Sequence, residues 1–151
     1  MQSVIRKISF ALVVLALVGS AAHAQRPGHR CSVNNLRGQY GFKIDGSGVA
    51  PAPGRFAAVG TQTFDGAGNF STTNYISVDG GIGLFSFSGT YTVNSDCTGV
   101  MTAHFPGGIT SSNYFVLVEN ENHLYTISLD PGSVVTGVFT KIVEPHSEEE
   151  R

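Results

Sequence analysis

The residues able to do chemistry in this 151-residue chain are few and scattered. Asp65-Gly66-Ala67-Gly68-Asn69 places two oxygen-bearing side chains in a glycine-rich loop, a setting that calcium favours. The further acidic ligands of a calcium loop are missing, so a hairpin turn is the reading its composition supports. His104 and His123 fall on separate extended runs without a third ligand beside them, and solvated or rim positions suit them better than a metal. Serines and threonines abound, yet none sits in a Gly-x-Ser-x-Gly elbow and no Ser/His/Asp order can be defended. Tyr40, Lys43 and Asp45 would make a phenol, base and acid at the mouth of a cyclase-like site, on sequence proximity alone. No catalytic residue, metal or cofactor is therefore assigned.

Cys31 and Cys97 are the only cysteines. A redox or nucleophilic pair would want a Cys-x-x-Cys spacing or an adjacent base, and neither is present. An even pair in an oxidising compartment is expected to bridge, tying an N-terminal arm to the turn after a central strand.

The compartment is read from residues 1–24. Arg6 and Lys7 precede the uncharged run from Ile8 to Val18, and Ala22-His23-Ala24 supplies a small-x-small cleavage pattern before Gln25. That apolar run is much shorter than the ~20 residues that span a bilayer. The mature chain is expected to be secreted or periplasmic, without a membrane span. Cleavage removes two of 9 Lys+Arg and none of 11 Asp+Glu, leaving 7 against 11, a net charge of −4. Nucleic acid, which needs clustered cations, is not an expected partner.

The elements that would position any site follow a period of two. Tyr40, Phe42 and Ile44 alternate with Gln39, Gly41 and Lys43. Phe56, Ala58, Gly60, Gln62 and Phe64 share one face of a second run, and Phe70, Ile76 and Val78 one face of a third. Phe85, Phe87, Tyr91 and Val93 oppose Ser86, Ser88, Thr90 and Thr92 in the fourth. Gly99–Phe105, Tyr114–Val118, His123–Leu129 and Val134–Val143 complete a series of eight. Turn residues separate them: Asp79-Gly80-Gly81, Asn94-Ser95-Asp96, Pro106-Gly107-Gly108, Asn120-Glu121-Asn122 and Asp130-Pro131-Gly132. Connections this short leave no room for crossover helices, so the sheet is antiparallel and meandering. The expected fold is all-β, an eight-stranded antiparallel up-and-down barrel, with a β-sandwich as the alternative. The expected organisation is a signal over 1–24, an arm over 25–37, the barrel over 38–143 and an acidic tail over 144–151.

Two pentapeptides echo each other, Gly38-Gln39-Tyr40-Gly41-Phe42 and Gly89-Thr90-Tyr91-Thr92-Val93, each glycine allowing a bend and each tyrosine plugging a barrel end. Together with Thr63–Phe70, the Asn94-Ser95-Asp96-Cys97-Thr98-Gly99 stretch and Val135–Phe139, they resemble a group of uncharacterised exported bacterial β-barrel proteins. The resemblance implies a bacterial origin and a barrel similar in outline to the calycin or allene-oxide-cyclase type. It implies no activity, since no catalytic residue carries across.

Ten Phe and five Tyr without a Trp give the barrel ample apolar bulk. An eight-stranded interior is filled by side chains or holds one small ligand. Tyr40, Phe42, Phe85, Phe87, Tyr91 and Phe139 are the interior residues expected to line such a site, with Gly41, Ala58 and Gly60 leaving space. A small apolar or amphipathic molecule is the partner this composition suggests; the oligomeric state stays open. An interaction protein with a filled barrel and a cyclase- or isomerase-type enzyme are the alternatives. A cavity above ~300 Å³ would favour a ligand or substrate. A perturbed titratable group inside it would favour the enzyme, and an exposed aromatic patch the interaction protein.

Overall fold

The computed structural model describes residues 30–48 and 53–142; the expected signal, the first residues of the arm and the acidic tail lie outside the described residues. Eight strands run in chain order: β1 Arg37–Gly48, β2 Gly54–Asp65, β3 Asn69–Val78, β4 Gly81–Val93, β5 Thr98–His104, β6 Thr110–Val118, β7 His123–Ser128 and β8 Val134–Lys141. Each pairs antiparallel with the next, and β1 also pairs with β8, Phe42 facing Phe139. That last ladder closes the sheet and decides for the barrel over the sandwich. Edges vanish with closure, which is the physical reason a meander of short hairpins settles on this form.

The strand faces are those that alternation predicts, but β6 starts earlier than its apolar run. Thr110 to Asn113 carries no apolar residue, yet it pairs in register with His104, Ala103, Thr102 and Met101. Ladder hydrogen bonds extend the strand where hydrophobicity gives no signal. Gly41 needs correction too: it lies on the outer face, where an added Cβ would meet Ile142, and leaves no interior space.

Curvature is managed by inward glycines. Gly89 faces Phe70 and Gly99 faces Phe115 across their ladders. A Cβ at either position would collide with the opposing phenylalanine ring. Each ring therefore lies against a glycine of the neighbouring strand, which helps eleven large aromatic side chains share one interior without overpacking.

The two ends of the barrel differ. At the end where β1 begins, Leu36, Tyr40, Phe64, Phe115 and Leu124 are fully or almost fully buried. Phe64 is held between two tyrosines, edge-to-face with Tyr40 at 5.3 Å and with Tyr91 at 5.2 Å. Both phenols find backbone partners. Tyr40 donates to the Glu121 carbonyl at 2.6 Å, and Tyr91 donates to the Leu36 carbonyl at 2.7 Å while accepting the Gly66 N–H. A short 3₁₀ turn, Val33–Asn35, folds over this end, pinned by the Asn35 side chain accepting the Ser32 N–H and hydroxyl.

The disulfide Cys31–Cys97 anchors that cover to the β4–β5 turn, its Cα atoms 4.9 Å apart. It closes a loop of 66 residues, worth about 4 kcal/mol in the chain-entropy model. The echoed tyrosines thus plug the same end.

Candidate functional site

The other end is hollow. Along β2 from plug to mouth the inward residues are Phe64, Gln62, Gly60, Ala58 and Phe56; along β3 they are Phe70, Thr72, Asn74, Ile76 and Val78. Packing is dense at the first member of each series and opens toward the last. A cavity of about 160 Å³ occupies this half of the barrel. That is about half of the ~300 Å³ expected of a small-molecule pocket. It matches the ~150 Å³ of an apolar cavity known to admit benzene.

Seven phenylalanines line it: Phe42, Phe56, Phe70, Phe85, Phe87, Phe105 and Phe139. Phe42 stacks on Phe139 at 5.0 Å, and Phe87 tilts against Phe105 at 4.7 Å. Phe85 stands at the rim, 43% exposed although on the inward face. Of the six residues expected to line a ligand site, the structure brings Phe42, Phe85, Phe87 and Phe139 to the cavity. Tyr40 and Tyr91 are interior but belong to the plug, away from the cavity lining.

The wall opposite the aromatic one is polar. β6 contributes Ser111 and Asn113, β7 contributes Thr126 and Ser128, and the turn that follows contributes Asp130 and Ser133. The Asp130 carboxylate accepts the Ser111 hydroxyl at 2.5 Å and the Ser112 N–H at 3.1 Å, which fixes it at the mouth. Among the described residues lining the cavity, Asp130 is the single ionisable side chain with an acidic or basic group.

A polar layer forms the floor between cavity and plug. Gln62 accepts the Thr72 hydroxyl at 2.9 Å, and its amide nitrogen reaches only the Met101 sulfur, 3.8 Å away. Asn74, diagonal to Gln62 across the β2–β3 ladder, is 5% exposed, and its Oδ1 is buried without a hydrogen-bond partner among the described residues. Gln62 and Asn74 were missed as site residues. Alternation did signal their direction, since Asn74 shares parity with Phe70, Ile76 and Val78.

The other chemical candidates do not converge. Lys43 and Asp45 lie on the outer face of β1, paired with each other at 3.2 Å, while Tyr40 points inward into the plug. Strand alternation separates them, so the acid–base–phenol set is corrected. Burial first, then the nearby Glu121 and Tyr91, pushes the Tyr40 phenol up to about 12. Burial likewise raises Tyr91. Both shifts belong to the plug and not to the cavity.

His104 sits exposed at the mouth end of β5; His123 sits at the plug end of β7, 3.2 Å from Glu119. Asp65 spends its carboxylate on its own turn, accepting from Ala67 and Asn69 N–H groups and the Asn69 amide. Those bonds, the Asn69 side chain first, hold its carboxyl below the usual range. Among the described residues no three His, Cys, Asp or Glu side chains gather as metal ligands would.

Fold and site together define a class: a closed eight-stranded antiparallel barrel, plugged and disulfide-anchored at one end and hollow at the other. No family model, curated protein or solved structure matches the chain.

Proposed function

We propose that this protein is an exported binding module that holds one small apolar or amphipathic molecule in the open half of its barrel. The observation that carries the reading is the aromatic cavity with a polar wall, open at one end and sealed at the other. Pockets for small molecules combine apolar walls with a few placed polar groups. The volume limits the enclosed part of the ligand to about one ring or a short chain.

Export rests on the residue 1–24 pattern and agrees with the disulfide. The calycin-like outline implied by the resemblance belongs to the same proposal. A mature form free of membrane is supported by the sidedness of the strands. Every phenylalanine among the described residues faces inward and the outer face carries charged residues such as Lys43, Asp45 and Arg55, whereas a lipid-spanning barrel turns an unbroken apolar band outward.

Native mass spectrometry of the mature protein, purified from its own secretory compartment, tests this reading. A small-mass adduct lost on denaturation is the expected result. A bare mass, two hydrogens light for the disulfide, would shift the choice to the interaction protein.

That second reading has one observation of its own. Leu84, Tyr75, Val59, Lys43, Val138 and Tyr125 are directly opposed neighbours on successive strands, forming a stripe around the outer face. Tyr75 and Val59 are more than half exposed. Such a stripe suits association with another surface, and sedimentation of the wild type beside a Val59→Ser/Tyr75→Ser variant would reveal self-association.

A further inference from the structure

We infer that the cavity takes its ligand head first: a non-anionic amphiphile places a hydrogen-bond donor on the Asn74 amide and leaves its apolar body in the aromatic mouth. This rests on the ligand-holding reading and adds orientation and chemical class to it.

The starting observation is Asn74 Oδ1, buried and unpartnered on a side chain that is 5% exposed and lines the cavity. An unsatisfied buried amide is destabilising, and native interiors carry very few of them. Its neighbour shows that the barrel can satisfy an amide at this depth, because the Gln62 carbonyl has the Thr72 hydroxyl. Asn74 has no such neighbour. The fold also makes room for it: Gly60 stands directly opposite on β2, and a Cβ there would collide with the Asn74 Cα and Cβ. A residue larger than glycine at position 60 would displace the one buried side chain among the described residues whose acceptor is unused.

Position sets the orientation. Asn74 lies toward the floor, with Ile76 and Val78 successively nearer the mouth on the same face of β3. A molecule that satisfies Asn74 therefore enters polar end first, and the rings around the mouth cover its apolar body.

Charge sets the class. Among the described residues no lysine, arginine or histidine lines the cavity, and the Asp130 carboxylate stands at its entrance. A carboxylate or phosphate head group would meet no cation and would pass a like charge on its way in, which a buried anion cannot tolerate. An alcohol, phenol or amide N–H meets neither obstacle.

The test uses three para-substituted toluenes, the isosteric p-cresol and p-xylene and the anionic p-toluate, titrated into the disulfide-bonded mature protein and followed by heteronuclear NMR. The expected result is p-cresol binding roughly 10-fold more tightly than its isostere p-xylene, as one hydrogen bond predicts. The Asn74 side-chain amide signal should move with p-cresol and stay with p-xylene. In Asn74→Leu the ratio should fall to about one while p-xylene still binds.

Equal wild-type affinities for p-cresol and p-xylene would overturn the head-group inference and leave the cavity reading standing. Binding of p-toluate as strong as that of p-cresol would overturn the exclusion of anions. Should no probe perturb the cavity resonances, the ligand-holding reading itself falls. If Asn74→Leu does not fold, the wild-type affinity ratio and the Asn74 amide signal decide the matter alone.

Discussion

The two halves of this barrel are cut from the same eight strands, with the same alternation, yet one is solid and the other hollow. In the plug, Phe64 is 1% exposed and gripped by two tyrosines; at the mouth, Phe85 is 43% exposed and its strand neighbours leave a cavity. The difference lies in what covers each end. The arm brings Leu36 and the Val33–Asn35 turn down on the plug and the disulfide keeps them there. Inward-facing apolar residues are thus a condition for a packed core and not a guarantee of one. The lid completes it.

The sharpest way to break this comparison is to truncate one ring in each half. Phe64→Ala should cost about 4–5 kcal/mol, because a large cavity opens in a site with no freedom to collapse and two edge-to-face contacts go with it. Phe85→Ala should cost less than about 1 kcal/mol, since its ring is already part solvated and borders space. Urea unfolding of both variants measures the pair. Similar losses would mean that the mouth is packed as tightly as the plug.

Next in size is the covalent anchor. Replacing both Cys31 and Cys97 with alanine should remove about 4 kcal/mol, the entropy of the 66-residue loop. Hydrogen exchange sharpens the contrast. Amides that join the cover to the β4–β5 turn or that lean on that turn, Cys31 donating to the Ser95 carbonyl and Leu117 to the Cys97 carbonyl, should lose protection. Those of β3 and β4 at the mouth should change only as far as global stability does.

How much of this was legible beforehand depends on which geometric quantity is asked for. Direction was legible. Period two placed Phe85, Phe87, Tyr91 and Val93 together, and the same parity already set Lys43 and Asp45 against Tyr40, so the acid–base–phenol set was refutable from alternation alone. Depth was not legible. Whether an inward residue joins the plug or the cavity depends on strand stagger around a closed sheet. Stagger put Tyr40 and Tyr91 beside Phe64 while Phe42 and Phe87 line the cavity. Cover was not legible either. Leu36 was assigned to an arm, yet it is fully buried, because a single apolar residue beside Asn34 and Asn35 carries no periodic signal. Nor was the unpaired state of Asn74, which depends on Gly60 and Gln62 across the β2–β3 ladder.

The plug should also answer to alkali where the cavity lining, which holds no phenol among the described residues, does not. Tyr40 keeps its proton more tightly when folded, its phenol pushed up to about 12 chiefly by burial, against ~10 in an unfolded chain. The stability this brings is complete below pH ~10 and is lost as pH rises toward 12. Urea midpoints between pH 8 and pH 12 should therefore fall steeply in the wild type. Tyr40→Phe should start lower at pH 8, for want of its bond to the Glu121 carbonyl, and fall less steeply. Parallel slopes would show that the phenol is hydrated in the folded state.

The smallest expected effect bears most directly on why the halves differ. Asn74→Leu replaces an unsatisfied buried amide by an apolar group with the same branched heavy-atom skeleton that faces phenylalanine rings. Removing such a group is neutral or favourable for folding, so the variant should gain roughly 1 kcal/mol over wild type. A protein selected for stability alone would carry leucine there. A gain in Tm, together with the lost preference for p-cresol, would mean that the hollow half gives up stability for recognition, as binding sites commonly do. A loss in Tm would mean that the amide is satisfied in solution by water held in the cavity. The floor would then be structural, and the two halves would differ in filling alone.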